Sequence, residues 1–487
     1  MKLLAKIFVF IFICLPSSYA KNNKTEPVNA PIEYEQELTK LLSALKNVTG
    51  IPAFSVAVVH KGELVASVST GYVDTDKKIL ATNQHLFRLA SVSKVVGSTM
   101  LAELVVNGRL DPDKPIGLYF PELDTKYHQI TTRQLVSHTS GMPHYQIKDF
   151  NIYNKHYLSA IEAVETLKGR DLLATPGEKY SYSTHGYTLA GAIHERIAEQ
   201  PLSSSIPSFV KRWTKKSTPI IENIENLSPF TSKLYTRDGG IIDEENFGEK
   251  SYSVFGAGLS ATASDLAHLG YKVLNKSKSN EAYRQLLFTP TMTKTGKYAG
   301  NDKYQVGFGW RIGKDSLDRR VYHHAGATPG ARSIIVLYPE QDLSITVLSN
   351  SSWTSGIDEM AFSLASLYID KASYKSLTHN VKYEVNYDSS KSKGNISCTS
   401  GLCFLSNERS GYSKWLNKFN YTGEFIANWP IFSYSSENGD RLLMVTKVGI
   451  RSLIAKGDHY IARVGKNKTY SVKLLPQNEL PITRDFD

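Results

Sequence analysis

Cysteine is scarce in this 487-residue chain: there are three, Cys14, Cys398 and Cys403. Cys14 falls in an apolar run near the N-terminus, and the other two stand five positions apart without histidines nearby. Neither thiol catalysis nor a cysteine-based zinc site fits that pattern. Beyond residue 20 no stretch approaches the ~18 apolar residues of a membrane span, so no stable membrane insertion is expected. There is no Gly-x-Ser-x-Gly elbow and no phosphate-cradling Gly-Lys-Ser/Thr loop; His194-Glu195 lacks the second histidine of a zinc helix. The glycines and prolines, 33 and 19, follow no triplet period, which excludes a collagen-like fibre, and no solenoid repeat is visible. Basic residues outnumber acidic ones, 57 to 46, but are dispersed without an aromatic-interleaved groove, so no nucleic-acid partner is expected.

What is present describes a folded protein. Hydrophobic residues make up 41 % and charged residues 21 %, an ordinary globular balance, and the length suggests two or three domains. Lys2 and Lys6 precede the apolar run Ile7 to Leu15, and Ser18-Tyr19-Ala20 offers small residues for cleavage. Residues 1–20 therefore read as a secretory signal peptide, with an uncleaved anchor as the alternative. The mature chain is expected to be exported, to a periplasm or outside the cell. In an oxidising compartment the spacing of Cys398 and Cys403 suits a small structural disulfide loop.

Hydrophobic periodicity outlines the organisation. Leu38, Leu41, Leu42, Leu45 and Val48 predict a helix over 32–48. Residues 54–59 and 64–68 flank Lys61-Gly62 as a hairpin. Helices are predicted over 92–106, 186–199, 263–274 and 357–369, and strands over 332–338 and 343–348. Strands at both ends of a helical middle imply an α+β fold, one antiparallel sheet with an inserted helical subdomain. This domain is expected over 21–375. A polar linker over 376–394 and a small, separate β-rich domain over 395–487 follow, the latter with strands near 442–447, 452–456, 460–464 and 470–475.

The chemistry centres on Ser91-Val92-Ser93-Lys94. At a helix start, Ser-x-x-Lys places an amine one turn above a hydroxyl on the same face, where it can take the serine proton. The helix N-terminus favours the oxyanion formed when a carbonyl is attacked. The spacing alone is uninformative, since Ser18–Lys21, Ser43–Lys46, Ser208–Lys211 and Ser390–Lys393 repeat it.

Context selects Ser91. The block Phe87 to Lys94 resembles the nucleophile signature of class C β-lactamase-related serine hydrolases, within the serine β-lactamase/penicillin-binding-protein-like superfamily. Leu135 to Pro143 resembles that family's His-Thr-Ser-Gly turn, and Pro176 to Thr184 its catalytic tyrosine segment. Gly258 to Ala267 and Gly307-Phe308-Gly309-Trp310 resemble two structural blocks, and His324-Ala325-Gly326 the third motif, on the strand beside the nucleophile. The blocks keep the family's order over roughly residues 32–370. Tyr182-Ser183-Thr184 and the aromatic-rich segment from Ser251 to Gly258 are most similar to the animal mitochondrial serine β-lactamase-like branch and its bacterial relatives.

The resemblance implies Ser91 as acylated nucleophile and Lys94 as the amine keeping the Tyr182 phenol partly ionised to take the Ser91 proton. His324 would orient or polarise Tyr182. Thr184, Ala325, Gly326 and Ala327 would meet substrate, with the N–H groups of Ser91 and Ala327 as oxyanion hole. Neither metal nor organic cofactor is implied. Thr184 replaces an amide side chain, and Ala325 a hydroxyl, that β-lactamases use on their substrates; both changes favour peptide or ester cleavage over β-lactam hydrolysis. Arg332 meets a substrate carboxylate if it points inward, and is a solvated strand arginine otherwise. His138 reads as a buried hydrogen-bonding residue, and His144 fits no required step. The substrate pocket is expected from segments 143–175 and 205–250.

Two functional classes stay open at this point. One is an exported serine hydrolase forming an acyl-enzyme on an amide or ester, its partner a small-molecule or peptide substrate, D-amino-acid peptides included. The other is a non-catalytic binding or self-assembling protein that keeps the fold, self-association being a property attributed to the animal relative.

Overall fold

The computed structural model describes residues 30–146, 155–238, 241–246, 248–352, 356–375, 381–387, 390–399, 402–407, 429–447, 449–464 and 468–475. The expected signal peptide lies outside the described residues. The first helix, α1 (Ala30–Thr49), buries the leucine stripe at 38, 41, 42 and 45 completely. It leads into β1 (Ala53–His60) and β2 (Glu63–Asp74). Lys61 and Gly62 between them both have positive φ, 52° and 94°, the two-residue turn whose twist matches that of paired strands. A short β3 (Ile79–Leu80) follows.

The chain returns to this sheet more than two hundred residues later, with β4 (Tyr304–Val306), β5 (Arg311–Lys314), β6 (Arg320–Thr328), β7 (Ala331–Tyr338) and β8 (Leu343–Ser349). The eight strands pair in the order β3-β2-β1-β8-β7-β6-β5-β4, antiparallel throughout. Between the two runs lies the helical middle. It includes α2 (Ser93–Val106), α3 (His185–Ala198) and α4 (Ala263–Ser279). Nearly every residue of α2 is buried, as expected of a helix apolar all round. One face of the sheet packs on α4 and this helical region; the other packs on α1 and α5 (Ile357–Ile369). The expected α+β architecture is the one observed.

The C-terminal region departs from expectation in two ways. Residues 381–387 and 390–394, expected within the linker, belong to paired strands, β9 (Val381–Tyr387) and β10 (Ser390–Thr399). Backbone pairing tolerates polar side chains where a strand face meets water, so composition misled there. With β11 (Leu402–Asn407), β12 (Trp429–Ser435), β13 (Arg441–Thr446), β14 (Gly449–Lys456), β15 (His459–Val464) and β16 (Lys468–Leu474) they form a meander. β16 pairs with β9 and β12 with β13, so the eight strands close into a barrel. Cys398 and Cys403 face each other across the β10–β11 hairpin and are disulfide-bonded.

Nor is the barrel separate. Ile431, Leu442, Met444 and Leu453 fill its interior with Trp429 and Val472. The alternate residues Phe432, Tyr434, Leu443, Val445 and Ile450 point outward into the same core as Leu38, Leu41, Met360 and Leu364 of α1 and α5. Buried ion pairing bolts the seat: Arg441 donates to Asp370 at 2.6 Å, and Arg319 reaches the same carboxylate at 3.0 Å.

Candidate active site

The turn that carries Ser91 is anchored from below. Arg88 and Glu222, both almost wholly buried, pair at 2.6 Å, and Glu222 also accepts from Ser260 Oγ at 2.7 Å. These contacts tie the short strand Phe87–Arg88 to Leu259–Ala261 beside it. Ala90, just before Ser91, is held at φ +46°, a left-handed conformation that costs a non-glycine residue of order 1 kcal/mol. A single 3-10 turn, Ala90–Val92, then runs into α2 and brings Lys94 over Ser91.

Lys94 is 0 % exposed. Its Nζ donates to the Gly256 carbonyl at 2.7 Å and lies 3.2 Å from both Thr184 Oγ1 and Ser91 Oγ. Burial holds the amine well below its ordinary range, and the Arg311 charge pushes the same way. A neutral amine has two N–H donors and one lone pair. The Gly256 carbonyl takes one donor and the Thr184 hydroxyl can take the other, which leaves the lone pair for the Ser91 hydroxyl proton. Gly256 has to be glycine for this approach, because a Cβ there would stand 2.2 Å from Ser253 Oγ and 2.5 Å from Thr184 Cγ2.

Tyr182 lies on the loop before α3, hydrogen-bonded to Ser91, with the Lys94 amine 5.0 Å from its ring centre. Burial pushes its phenol up, opposed by Arg311 and the Ser91 hydrogen bond, so the electrostatics run against the partly ionised phenol expected from the resemblance. Two histidines position this loop. His138 Nδ1 accepts from Ser183 N at 3.1 Å, with its ring centre 4.2 Å from that of Tyr182 and tilted 32° to it, and His144 Nδ1 accepts from Thr184 N at 3.2 Å. Both roles need neutral rings, and burial holds His138 well below the usual imidazole range and His144 down to about 4. Reading motifs by required chemical step had no place for His144; its position directly after the His-Thr-Ser-Gly turn was the available signal.

His324 is brought to the site, fully buried, but not onto Tyr182. Its Nδ1–H donates to the Ala325 carbonyl at 2.8 Å, and among the described residues no hydrogen bond joins it to Tyr182. Burial, with the Arg311 charge, holds the ring well below the usual imidazole range. Gly326 presses β6 onto the nucleophile turn: a Cβ there would sit 2.3 Å from the Leu89 carbonyl and 3.0 Å from Ser91 N.

A cleft of about 1050 Å³ opens over Ser91, lined by Tyr182 and by Ala325, Gly326 and Ala327. Thr184 is not on its wall; its hydroxyl is turned to Lys94 instead. Of the segments 143–175 and 205–250, His144 alone lines the cleft among the described residues. The far wall comes from 301–320, 356–363 and 451–452, because strands β4 and β5 and the seated barrel flank Ser91 there. Arg332 lines the cleft within the field of Asp358. Arg311, which directly follows the Gly307 to Trp310 block, was missed in the sequence and is the charge felt by Lys94, Tyr182, His138 and His324 alike.

Comparison with known proteins agrees with this geometry. The family model described as Beta-lactamase matches residues 38–361. Protein flp of Staphylococcus aureus (strain MRSA252) is 25 % identical over 312 residues, 62 % of this chain and 60 % of the relative, so the match spans under two thirds of that protein's length. The human mitochondrial serine beta-lactamase-like protein LACTB is 24 % identical over 412 residues, 65 % of this chain and 74 % of that one. A solved class C beta-lactamase, 16 % identical, shares the fold with a TM-score of 0.60 over 70 % of this chain and 98 % of its own. With the family model matched over most of its length, this chain belongs to the beta-lactamase family of serine hydrolases.

Proposed function

We propose that this protein is an exported serine hydrolase that forms an acyl-enzyme on Ser91 and cleaves an amide, foremost a peptide including D-amino-acid peptides, or an ester. The observation that carries the reading is the fully buried Lys94 amine, held well below its ordinary range by burial and lying 3.2 Å from Ser91 Oγ. Ser91 Oγ attacks the substrate carbonyl carbon while its proton passes to the Lys94 lone pair. The carbonyl oxygen becomes an oxyanion, met by the backbone N–H groups of Ser91 and Ala327 and by the N-terminal end of α2. Tyr182 and Lys94 return the proton to the departing nitrogen or oxygen as its bond to the carbonyl carbon breaks. Water, deprotonated by the same pair, then attacks the acyl-enzyme, and Ser91 regains its proton. His324 keeps the strand side of the site neutral and polar.

The substrate order, peptide before ester before β-lactam, rests on Thr184 and Ala325. Thr184 is engaged with Lys94, so it is not available as the amide-holding group of a β-lactamase. Ala325 offers no hydroxyl to a carboxylate. Turnover of a panel of peptides, nitrophenyl esters and a chromogenic cephalosporin, compared between wild type and Ser91→Ala, tests the proposal. Loss of all turnover in the variant is expected; turnover that survives overturns it. Export is checked by the N-terminal sequence of the secreted protein, expected to begin after Ala20. Self-association is proposed on the resemblance alone, and light scattering that gives a monomer at micromolar concentration removes it.

A further inference from the structure

The carbonyl that holds Lys94 belongs to a tight turn whose other end is set by a buried carboxylate. The turn starts at the Arg88 anchor, where Arg88 Nη2 donates to the Gly248 carbonyl at 3.0 Å, and closes through the single helical turn Val254–Ala257. Glu249, 1 % exposed, organises its first residues: Oε1 accepts from Lys250 N at 2.8 Å and from Ser251 N at 2.6 Å. The other oxygen, Oε2, accepts from His156 Nδ1–H at 2.9 Å, and Ser251 Oγ accepts in turn from Tyr157 N at 2.8 Å. Residues 156–157 and 249–251 are thus clasped twice. The charged groups around the clasp are His156, Lys250, Glu245 and the Arg88–Glu222 pair. Burial works to raise the Glu249 carboxyl, but the bonds from His156 and Ser251 outweigh it and keep the group below its ordinary range, so it is ionised.

What Glu249 fixes carries through to Gly256. The Lys250 carbonyl accepts from Ser253 N at 3.0 Å and lies against Gly258, where a Cβ would stand 2.8 Å from it. Both ends of the turn therefore meet at one carbonyl, and Gly256 has no slack against Ser253 and Thr184. In so close-packed an interior a shift at Lys250 is passed on to the Gly256 oxygen rather than absorbed. We propose that Glu249, clasped by His156, is a positioning residue for acyl transfer: through this turn it fixes the Gly256 carbonyl, and with it the Lys94 amine over Ser91. The proposal rests on the hydrolase reading above and adds to it two residues that do not line the cleft. An apolar contact would close the turn without the desolvation cost of a buried carboxylate; what the charged pair adds is a single register.

A small fluorophosphonate, diisopropyl fluorophosphate, tests this without knowledge of the natural substrate. Ser91 Oγ bonds to phosphorus, fluoride leaves, and the Ser91 proton passes to the Lys94–Tyr182 pair. The rate constant of labelling is followed by intact mass against pH on the full chain: wild type, His156→Ala, His156→Asn and Glu249→Gln. It refers to the sites that react, so loss of folded protein lowers the final extent and leaves the constant unchanged. In His156→Ala the constant is expected to fall ~10-fold or more at neutral pH, within the scale of a misplaced catalytic group. Its acid-side midpoint should move to higher pH, because a loosened turn lets water reach the amine whose burial depresses it. His156→Asn, which keeps an N–H donor, should recover most of the rate. Glu249→Gln, which keeps the shape and loses the charge, should change in the same direction as His156→Ala but by less, and it is the deciding variant if His156→Ala does not fold. A purely structural clasp would leave the rate constant and the midpoint at their wild-type values in every variant that folds, which overturns the proposal. A folded wild type that takes no label removes the hydrolase reading first, and this inference falls with it.

Discussion

β8 in the catalytic sheet and β13 in the barrel are both buried along their whole lengths, but by different partners. β8 is covered by helices on its two faces, α1 and α5 on one and α4 on the other. β13 has the barrel's own interior on one face, through Leu442 and Met444, and the α1–α5 layer on the other, through Leu443 and Val445. The same pair of helices therefore serves as back wall for the sheet and as seat for the barrel. Chemistry is concentrated on one side of that shared layer, whereas the barrel supports it and reaches the cleft through Arg451 and Ser452 of β14. A region without a catalytic motif is thus part of the folded core and of the cleft wall.

The comparison breaks most visibly if the barrel is removed. A chain ending before residue 376 uncovers the apolar face of α1 and α5 that Phe432, Leu443 and Val445 cover, and is expected to aggregate on expression. A soluble, active truncated protein would show instead that the two regions fold independently. A smaller cut is Arg441→Met, which takes one partner from a buried carboxylate that Arg319 and Asn438 still hold. It should cost about 3 kcal/mol in denaturant unfolding, because an under-compensated buried charge remains. Ser91 labelling by an acylating probe should survive in whatever fraction stays folded.

On the catalytic side the sign reverses. Burial depresses Lys94 below its ordinary lysine value of 10.5, so between the folded and unfolded values the unfolded chain binds more protons and stability rises with pH. Lys94→Met is therefore expected to be inactive yet more stable than wild type by about 1 kcal/mol at neutral pH. The gap should narrow as pH rises towards the lysine range; thermal unfolding against pH for both proteins checks this. Activity follows the same group. Acylation should fall as pH drops through the lowered Lys94 value, where the amine takes up a proton and loses its lone pair. Smallest of all is the exposed Lys371–Glu437 pair between the helix layer and the barrel. Lys371→Ala should leave the unfolding midpoint unchanged within error, since solvent screens such a pair.

Much of the catalytic body was legible in the sequence because its signals are local. The leucine spacing of α1, the Lys61-Gly62 turn and the apolar run of β7 each fix an element within a few residues. The ordered motifs then identified Ser91, Lys94 and Tyr182, which the fold brings into contact. Less legible was whatever depends on which surfaces meet. Ser390 to Gly394 is polar enough to read as linker, yet its backbone is a barrel strand. The strand expected over 442–447 opens on the unbroken apolar run Leu442 to Val445, the sign that both its faces are covered. Thr184 matched a substrate-binding position in the motif, but its hydroxyl is turned to Lys94, a contact 90 residues away in sequence. Arg311 went unread and His144 was given no step, because what each does depends on the loop or ring it faces, which no spacing rule encodes.

The central claim is that Ser91, Lys94 and Tyr182 form a working acyl-transfer site, and a fluorophosphonate probe tests it most directly. Intact mass and peptide mapping of the mature protein should show one label per chain, on Ser91, and little or none when Lys94→Ala or Tyr182→Phe is treated in the same way. A folded wild-type protein that takes no label, or labelling that persists in both variants, would contradict the account.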